Sequence, residues 1–165
     1  MRIGHGYDLH RLEPPPPEGR GRPFILGGLH LEHPMGPVGH SDGDVLLHAV
    51  TDAILGALGE PDIGRLFPDD DPRHDGADSS IFLVEAVRRM ASRGFVVGNM
   101  DVTIICEQPK ISPHVEELRA RLADWLKCGP DRVNLKGKTH EKVDAVGEGR
   151  AIEVHVVILL EPMTE

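Results

Sequence analysis

The sequence predicts an α+β fold in one domain over residues 1–165. Two observations lead to this class. Three segments carry the one-sided apolar pattern of a helix, and the predicted strands are grouped rather than alternating regularly with those helices. No internal repeat is visible, and a chain of this length has room for one ordinary domain with a substantial core.

The first part of the chain is predicted to hold a strand and a hairpin. Arg2–Asp8 is expected to be a strand that enters a loop, and the proline and glycine content of Glu13–Arg22 predicts an exposed, irregular connection. Pro23–Leu26 and Leu29–Glu32 resemble the two arms of a short hairpin, with its turn at Gly27–Gly28.

The first helix has clear start and stop signals. Ser41 is the expected N-cap, with Asp44 three residues on as a capping-box-like acid, and the helix should end near Leu58. Residues 60–77 are rich in prolines, glycines and acids, so we expect a loop with at most one helical turn, around Ile63–Leu66.

Beyond residue 77 the pattern predicts two more helices and three strands. One helix starts at Asp78 or Ser79, whose side chains can cap it, and continues up to Gly94. Another starts at Ser112, because Pro113 suits the first helical position. The β-branched content of the remaining segments predicts strands at Asn99–Cys106, Val133–Lys138 and Ala151–Glu161.

The composition excludes several classes of protein. Eighteen Lys and Arg residues against 27 Asp and Glu give a net charge of −9, the wrong sign for a non-specific nucleic-acid binder. The longest apolar run, Val156–Leu160, is too short to cross a membrane, and the N-terminus lacks a signal-peptide core. We therefore predict a cytoplasmic protein with no nucleic-acid or membrane partner, in which Cys106 and Cys128 are reduced.

The last predicted strand indicates an oligomer. Its Val154–Leu160 stretch is apolar on both faces, with His155 as an interruption, and the chain has few aromatic residues. A lone subunit would leave part of such a sheet uncovered, so further copies of the chain are expected to cover it.

Ten histidines in an acidic chain suggest a metal site. Asp8 and His10 are two residues apart, so in an extended segment both side chains can reach one ion. His48 lies on the first predicted helix with Asp44 and Asp52 one turn to either side, where a carboxylate can orient a ligand imidazole. The alternatives are a loop acid beside a solvated histidine and a simple surface ion pair.

This ligand set favours zinc. Two histidines and one aspartate would leave an open fourth position, as expected of a catalytic rather than a structural zinc site. Because no cysteine lies near these motifs, zinc is the first expectation and manganese the second.

Three other segments have the composition of a substrate site. Phe67–Asp71 places three carboxylates in a loop, which could equally be a solvated acidic run. Cys106–Ser112 combines a lysine, a proline and the free N–H groups of a helix start, which suit an anionic or nucleotide group. Lys136–Lys142 adds three lysines, a hydroxyl and Glu141, which suit a diphosphate and a divalent cation.

Four segments together resemble one enzyme family: RIGHGYDLHRL, GHSDGDVLLHAVTDAILGALGEPDIGRLFPDDDP, DVTI followed by QPK, and a late KTHEK. They are similar to the 2-C-methyl-D-erythritol 2,4-cyclodiphosphate synthases of the non-mevalonate isoprenoid pathway, from Met1 to the C-terminal strand. The resemblance implies a single synthase domain over residues 1–165, with a mixed sheet and helices on one face. It also implies sheets packed around the threefold axis of a homotrimer, with active sites between neighbouring subunits.

The resemblance implies roles for individual residues. Asp8, His10 and His48 correspond to zinc ligands and Glu141 to a magnesium or manganese ligand. His40 and Thr139 correspond to the catalytic residues. The implied substrate contacts include Asp8, His10, His40 and Ser41. A segment that would hold the ribose comprises Asp62, Ile63 and Gly64, and a loop that would contact the methylerythritol comprises Phe67, Pro68, Asp69, Asp70 and Asp71. A loop that would recognise cytosine comprises Cys106, Glu107, Gln108, Pro109, Lys110, Ile111 and Ser112, and a segment that would hold the diphosphate comprises Lys138, Thr139, His140 and Glu141.

The implied reaction converts 4-diphosphocytidyl-2-C-methyl-D-erythritol 2-phosphate to the cyclic diphosphate and CMP. Its nucleophile is a phosphate oxygen of the substrate, so the protein has only to position groups and neutralise charge. Two alternatives remain, a catalytically silent, metal-stapled trimer and a metal-dependent phosphohydrolase. Asp144, Ala145 and Glu148 depart from the family pattern, which argues against binding of an isoprenoid diphosphate on the trimer axis.

Overall fold

The computed structural model describes residues 1–68 and 70–163 and has the α+β class that the sequence predicts. Its strands, in chain order, are β1 (Arg2–Glu13), β2 (Ile25–Leu26), β3 (Leu29–His30), β4 (Gly36–Pro37), β5 (Phe95–Ile105), β6 (Val133–Lys138) and β7 (Ala151–Pro162). Five of them form one sheet in the order β4-β1-β7-β5-β6, and β2 and β3 form the predicted hairpin. The β5–β6 pair is parallel and the others are antiparallel, so the sheet is mixed.

The helices cover one face of this sheet. They are α1 (Val45–Leu58), α2 (Ile63–Leu66), α3 (Ser80–Ser92), α4 (Val115–Leu126) and α5 (Asp144–Gly147), with short 3₁₀ turns at Pro72–His74, Ser112–His114 and Pro130–Arg132. Helix α1 packs on β1 and β7, α3 packs on α1, and α4 packs on β6. None of the helices in the described part of the chain has both the length and the apolar character needed to span a membrane.

The opposite face of the sheet stays open. On β7, Val156 and Ile158 are fully buried beneath the helices, whereas Val157 between them is 49% exposed. Ile3 and Tyr7 of β1 are exposed on the same open side, because alternate residues of a strand point to opposite faces. The sequence predicted an uncovered sheet surface, and this face provides it.

Two glycines allow α1 to lie directly on β1. A Cβ atom at Gly6 would lie 1.8 Å from the carbonyl oxygen of Ala49, and one at Gly4 would lie 1.9 Å from that of Ala53. No side chain fits at those distances, so the backbones of strand and helix approach as closely as the chain permits. This approach places the C-terminal half of β1 beside the N-terminal half of α1.

Several predicted boundaries are wrong, each for a tertiary reason. The first strand continues past Asp8 to Glu13, because β1 pairs with β7 from Arg2 to Arg11. The N-cap of α1 is Asp44 and not Ser41, since the Asp44 carboxylate accepts hydrogen bonds from two backbone N–H groups of the first turn. The end of this helix at Leu58 is confirmed, with Gly59 in the left-handed region at φ 71°.

The second half of the chain differs mainly at element starts. Strand β5 begins at Phe95, before the predicted Asn99, and pairs there with the end of β7. The third predicted helix starts with a 3₁₀ turn at Ser112 and becomes α-helical only at Val115. Strand β4 and helix α5 are too short to leave a sequence pattern.

Candidate metal centre and substrate cleft

Strand β1 and helix α1 bring Asp8, His10 and His48 together. Asp8 Oδ2 lies 2.9 Å from His10 Nε2 and 3.0 Å from His48 Nδ1, and the two histidine nitrogens are 3.3 Å apart. Among the described residues this is the only group of three metal-type side chains whose ligand atoms converge. Both histidine side chains are only 13% exposed, so neither is the solvated histidine or surface ion pair of the alternative interpretations.

The environment keeps the carboxylate of this cluster ionised. Burial raises the pKa of Asp8, but hydrogen bonds with His10 and His48 outweigh it and hold the pKa well below its usual range. Burial lowers the pKa of His10, and the hydrogen bond with Asp8 reverses this, so the net shift is upward. One carboxylate and two imidazole nitrogens with a common focus form a donor set that suits a divalent ion of the zinc type.

A backbone carbonyl sets the tautomer of His10. His10 Nδ1 lies 3.1 Å from the Val38 carbonyl oxygen. A carbonyl can only accept a hydrogen bond, so Nδ1 carries the proton and donates it. A divalent ion would therefore bind through Nε2, the nitrogen that faces Asp8 and His48, and would displace the proton with which this nitrogen now bonds Asp8.

A serine and an aspartate set the tautomer of His48 in the same way. His48 Nε2 lies 2.8 Å from Ser79 Oγ, and Ser79 Oγ lies 2.5 Å from Asp42 Oδ1. The carboxylate only accepts, so the Ser79 hydroxyl donates to Asp42 and accepts from His48 Nε2–H. This relay leaves Nδ1, which bonds Asp8, as the nitrogen of His48 through which a divalent ion would bind. Ser41 Oγ, 3.1 Å from both His48 Nε2 and Ser79 Oγ, packs beside the relay.

Helical spacing predicts that Asp44 and Asp52 orient His48, and this prediction is wrong for both residues. Asp44 faces away from it and accepts hydrogen bonds from Gly27 N–H and Gly28 N–H of the hairpin. Burial raises the pKa of Asp44 to about 6, opposed by these backbone donors. Asp52 accepts the Ile63 N–H at 2.8 Å and so anchors α2. Nothing in the spacing of the sequence connects Ser79 with His48, 31 positions away.

The relay can be tested by replacing Asp42 with asparagine. In Asp42→Asn one acceptor oxygen remains where the carboxylate has two, so either the hydroxyl or the N–H group of Ser79, both of which donate to Asp42, loses its acceptor and the relay is weakened. Zinc affinity, measured by chelator competition, should fall ~10- to 100-fold, as is typical when an outer partner of a ligand histidine is lost. Asp78→Asn, which removes a nearby charge outside the relay, should leave it unchanged. Equal affinities in the two variants would exclude the relay.

The metal cluster lies in a cleft of about 370 Å³. Eight of its 13 lining residues were predicted as site residues, namely Asp8, His10, His40, Ser41, His48, Ile63, Gly64 and Phe67. Leu9, Val38, Gly39, His74 and Phe82 complete it and were missed. The rings of Phe67 and Phe82 lie 4.6 Å apart and, with His74, form an aromatic wall of the cleft, in which the Phe82 ring lies 6.0 Å from that of His48.

Other residues of the predicted acidic region lie outside this cleft. Asp62 is exposed and caps α2 by accepting the Arg65 N–H at 2.9 Å. Asp71 accepts hydrogen bonds from the backbone and guanidinium of Arg73. Pro68 and Asp70 are exposed and do not line the cleft, and Asp69 lies outside the described residues.

The predicted nucleotide segment forms a different cavity, of about 340 Å³. Six of its lining residues were predicted, Cys106, Lys110, Ile111, Ser112, Lys138 and Thr139, and it shares no residue with the metal cleft. Glu107 and Gln108 line a third cavity beside Lys142, and Pro109 lines none of the three. His140 and Glu141 also line none of them, and His140 Nδ1 instead lies 2.9 Å from Asp144 Oδ2. Within one chain, the two halves of the predicted site therefore do not meet.

Comparison with known proteins gives one consistent result. The model of the YgbB family matches residues 1–161. A rice protein named 2-C-methyl-D-erythritol 2,4-cyclodiphosphate synthase, chloroplastic, is 58% identical over 97% of this chain and 69% of its own length. The synthase of Geotalea uraniireducens is 46% identical over 98% of this chain and 99% of its own. The solved structure named IspF (Plasmodium falciparum) CDP complex has a TM-score of 0.85 and 37% identity, covering 99% of this chain and 97% of that one.

Proposed function

This chain belongs to the YgbB family of 2-C-methyl-D-erythritol 2,4-cyclodiphosphate synthases, and from that premise we propose its reaction. It converts 4-diphosphocytidyl-2-C-methyl-D-erythritol 2-phosphate to 2-C-methyl-D-erythritol 2,4-cyclodiphosphate and CMP, by attack of the 2-phosphate on the β-phosphorus. The reaction is a phosphorus–oxygen lyase reaction of the cyclising type. The observation that carries the proposal is the convergence of Asp8, His10 and His48 in a cleft lined by His40 and Ser41.

The metal ligands of the proposed reaction come from two places. Asp8, His10 and His48 would hold zinc, since the outer hydrogen bonds of both histidines occupy one ring nitrogen and leave the other, beside Asp8, for the metal. Glu141 would hold magnesium or manganese on the diphosphate. A bound divalent ion would supply positive charge to the phosphate oxygens and so neutralise the charge that develops on them in the transition state.

The side chains of the cleft act by position and charge. The attacking phosphate oxygen is already anionic, so no enzyme nucleophile is required. Cys106 supports this, because burial raises the pKa of its thiol to about 12, which leaves no thiolate at neutral pH. His40 and Ser41 line the cleft beside the metal cluster, where they would donate hydrogen bonds to the reacting phosphates. Thr139 and Lys138 would steady the diphosphate from the second cavity.

A complete site needs more than one copy of the chain. The metal cleft and the cavity of Cys106 and Thr139 are separate within one subunit, yet the substrate would have to contact both. The open sheet face, with Ile3 72% exposed and Val157 49% exposed, offers apolar surface for association. We therefore propose a homotrimer, with the sheets around a threefold axis, one synthase domain per chain over residues 1–165, and active sites between neighbours.

The proposed ligand is a cytidine diphosphate. Related solved structures are named as complexes with CDP, at 37% and 41% identity to this chain. The loop from Cys106 to Ser112 would recognise the base, as the sequence resemblance implies, and the segment from Asp62 to Gly64 would hold the ribose. The cytoplasmic location stays a prediction, since the rice and Arabidopsis relatives are named chloroplastic.

The reaction can be tested by phosphorus NMR of the purified protein with substrate, zinc and magnesium. We expect the signals of a cyclic diphosphate and of CMP in equal amounts. A metal-dependent phosphohydrolase would instead release inorganic phosphate or a linear product, and a silent binding module would leave the substrate intact. Either of those results would rule the proposed reaction out.

A further inference from the structure

Arg22 ends the proline-rich connection between β1 and β2, for which the sequence suggested no role. Its backbone is held against β4, since Arg22 N–H donates to the Pro37 carbonyl at 3.0 Å. A Cβ at Gly36 would lie 1.6 Å from the Arg22 carbonyl oxygen, so the two backbones are in tight contact. Gly21 N–H donates to the Pro14 carbonyl and closes the loop behind it. The backbone of Arg22 is therefore held in place, and this fixes the position from which its side chain extends.

The guanidinium of Arg22 contacts two segments that line the metal cleft. Its Nε donates to the Gly39 carbonyl at 2.9 Å and its Nη2 to the His40 carbonyl at 3.1 Å. The same Nη2 donates to Asp75 Oδ1 at 2.8 Å. Arginine can do this because its planar fork carries several N–H groups in fixed directions.

Backbone hydrogen bonds join the same two segments. Gly76 N–H donates to the His40 carbonyl at 2.8 Å, so this oxygen accepts from both Arg22 and Gly76. Asp42 N–H donates to the Ala77 carbonyl at 2.9 Å. The segment Gly39–Asp42 is thus joined to the turn His74–Ala77, which contributes His74 to the aromatic wall of the cleft.

We propose that Arg22 is a positioning residue that locks the Gly39–Asp42 segment to the His74–Ala77 turn and so sets the place of His40 in the cleft. The proposal rests on the function proposed above for this cleft. The hydrogen bonds from Arg22 to the two carbonyls hold the segments together more than its ion pair with Asp75 does. Asp75 is 65% exposed, and an exposed ion pair contributes little to stability. A hydrogen bond from a charged N–H group to a partly buried carbonyl contributes more to stability than such an exposed ion pair.

Hydrogen exchange without substrate tests the lock directly. In Arg22→Ala, the amides of Gly76 and Asp42 should exchange at least ~10-fold faster, because the segments they join separate more often. Arg20→Ala is the matched control: it removes the same charge from the same loop, but Arg20 pairs with Glu13 and touches neither segment. Unchanged exchange at Gly76 and Asp42 in Arg22→Ala would overturn the proposal, as would an equal increase at α4 amides, which would indicate general loss of stability.

The turnover number, kcat, distinguishes a positioning role of the Arg22 guanidinium from an effect of its positive charge alone. Arg22→Ala should lower kcat ~10- to 100-fold, as a small displacement of a reacting group does, whereas Arg20→Ala should not. Arg22→Lys keeps the charge without the planar fork and should recover only part of kcat. Full recovery would mean that charge alone matters and would overturn the proposal. If the wild type shows no turnover but its exchange pattern depends on Arg22 as expected, the proposed function fails and the lock stands.

Discussion

His48→Ala should purify without stoichiometric zinc and lose activity by on the order of 10³-fold. Two ligands would remain, and Asp8 would keep only the hydrogen bond with His10. The loss of affinity should exceed the ~10- to 100-fold that a missing outer partner costs, because a direct ligand is removed. The activity estimate corresponds to about 4 kcal/mol of transition-state stabilisation, typical of a lost Lewis acid.

Elemental analysis measures the zinc content of the variant, and a steady-state assay measures its activity. His30→Ala is a suitable control, because His30 is exposed on β3 and contacts none of the three proposed ligands. It should retain metal and activity. Zinc that stays stoichiometric in His48→Ala would show that the ligand assignment is wrong, whatever the activity of the variant.

Gly6→Ala should strongly destabilise the protein, because the added methyl group has no space between β1 and α1. The new Cβ would lie 1.8 Å from the Ala49 carbonyl oxygen and 2.7 Å from the Ala53 nitrogen, and both are backbone atoms that cannot rotate away. Helix α1 must therefore move away from β1. We expect a loss of at least about 3 kcal/mol, the upper part of the range for overpacked cores. Because α1 carries His48 and β1 carries Asp8 and His10, metal affinity should fall as well.

The matched control is Gly56→Ala, in the same helix. Gly56 is exposed, and its Cβ would meet only the His5 carbonyl oxygen at 3.7 Å, an ordinary contact. Alanine is the better helix former, so this variant should gain ~0.5–1 kcal/mol. Thermal unfolding at one protein concentration compares them, with Gly6→Ala expected about 6–12 °C lower than the wild type. Equal midpoints for Gly6→Ala and the wild type would refute the close-approach argument.

Two of the three candidate metal ligands could be predicted from local geometry. Asp8 and His10 project to one side of a strand through the two-residue repeat, and the strand is longer than predicted, which only extends that geometry. His48 lies on a helix whose end at Leu58 follows from Gly59. The packing of β1 against α1 belongs to the tertiary structure. Gly4 and Gly6 are the residues in the sequence that allow it, because they have no side chain at the contact.

The partners of those ligands could not be predicted from spacing. Asp44 and Asp52 lie one helical turn from His48, yet they bond the hairpin and α2 instead. Ser79 was predicted as a helix cap, but its hydroxyl makes no capping bond and lies between His48 and Asp42. A buried hydroxyl bonds the nearest polar atom in space, and sequence distance does not measure that.

By itself, the sequence determined the α+β class and the placement of Asp8 and His10 on one side of a strand, because strand and helix repeats place neighbouring side chains without reference to the rest of the chain. Its resemblance also determined the family, whereas His48 joins the other two side chains only because α1 packs on β1. The tertiary structure alone decided the tautomers of His10 and His48 and the contacts of Arg22, because each depends on which distant backbone or hydroxyl packs beside it. It also decided that the cavities of the metal triad and of Thr139 are separate within one subunit. The physical reason is that hydrogen bonds and cavities form between elements, whereas sequence periodicity describes one element at a time.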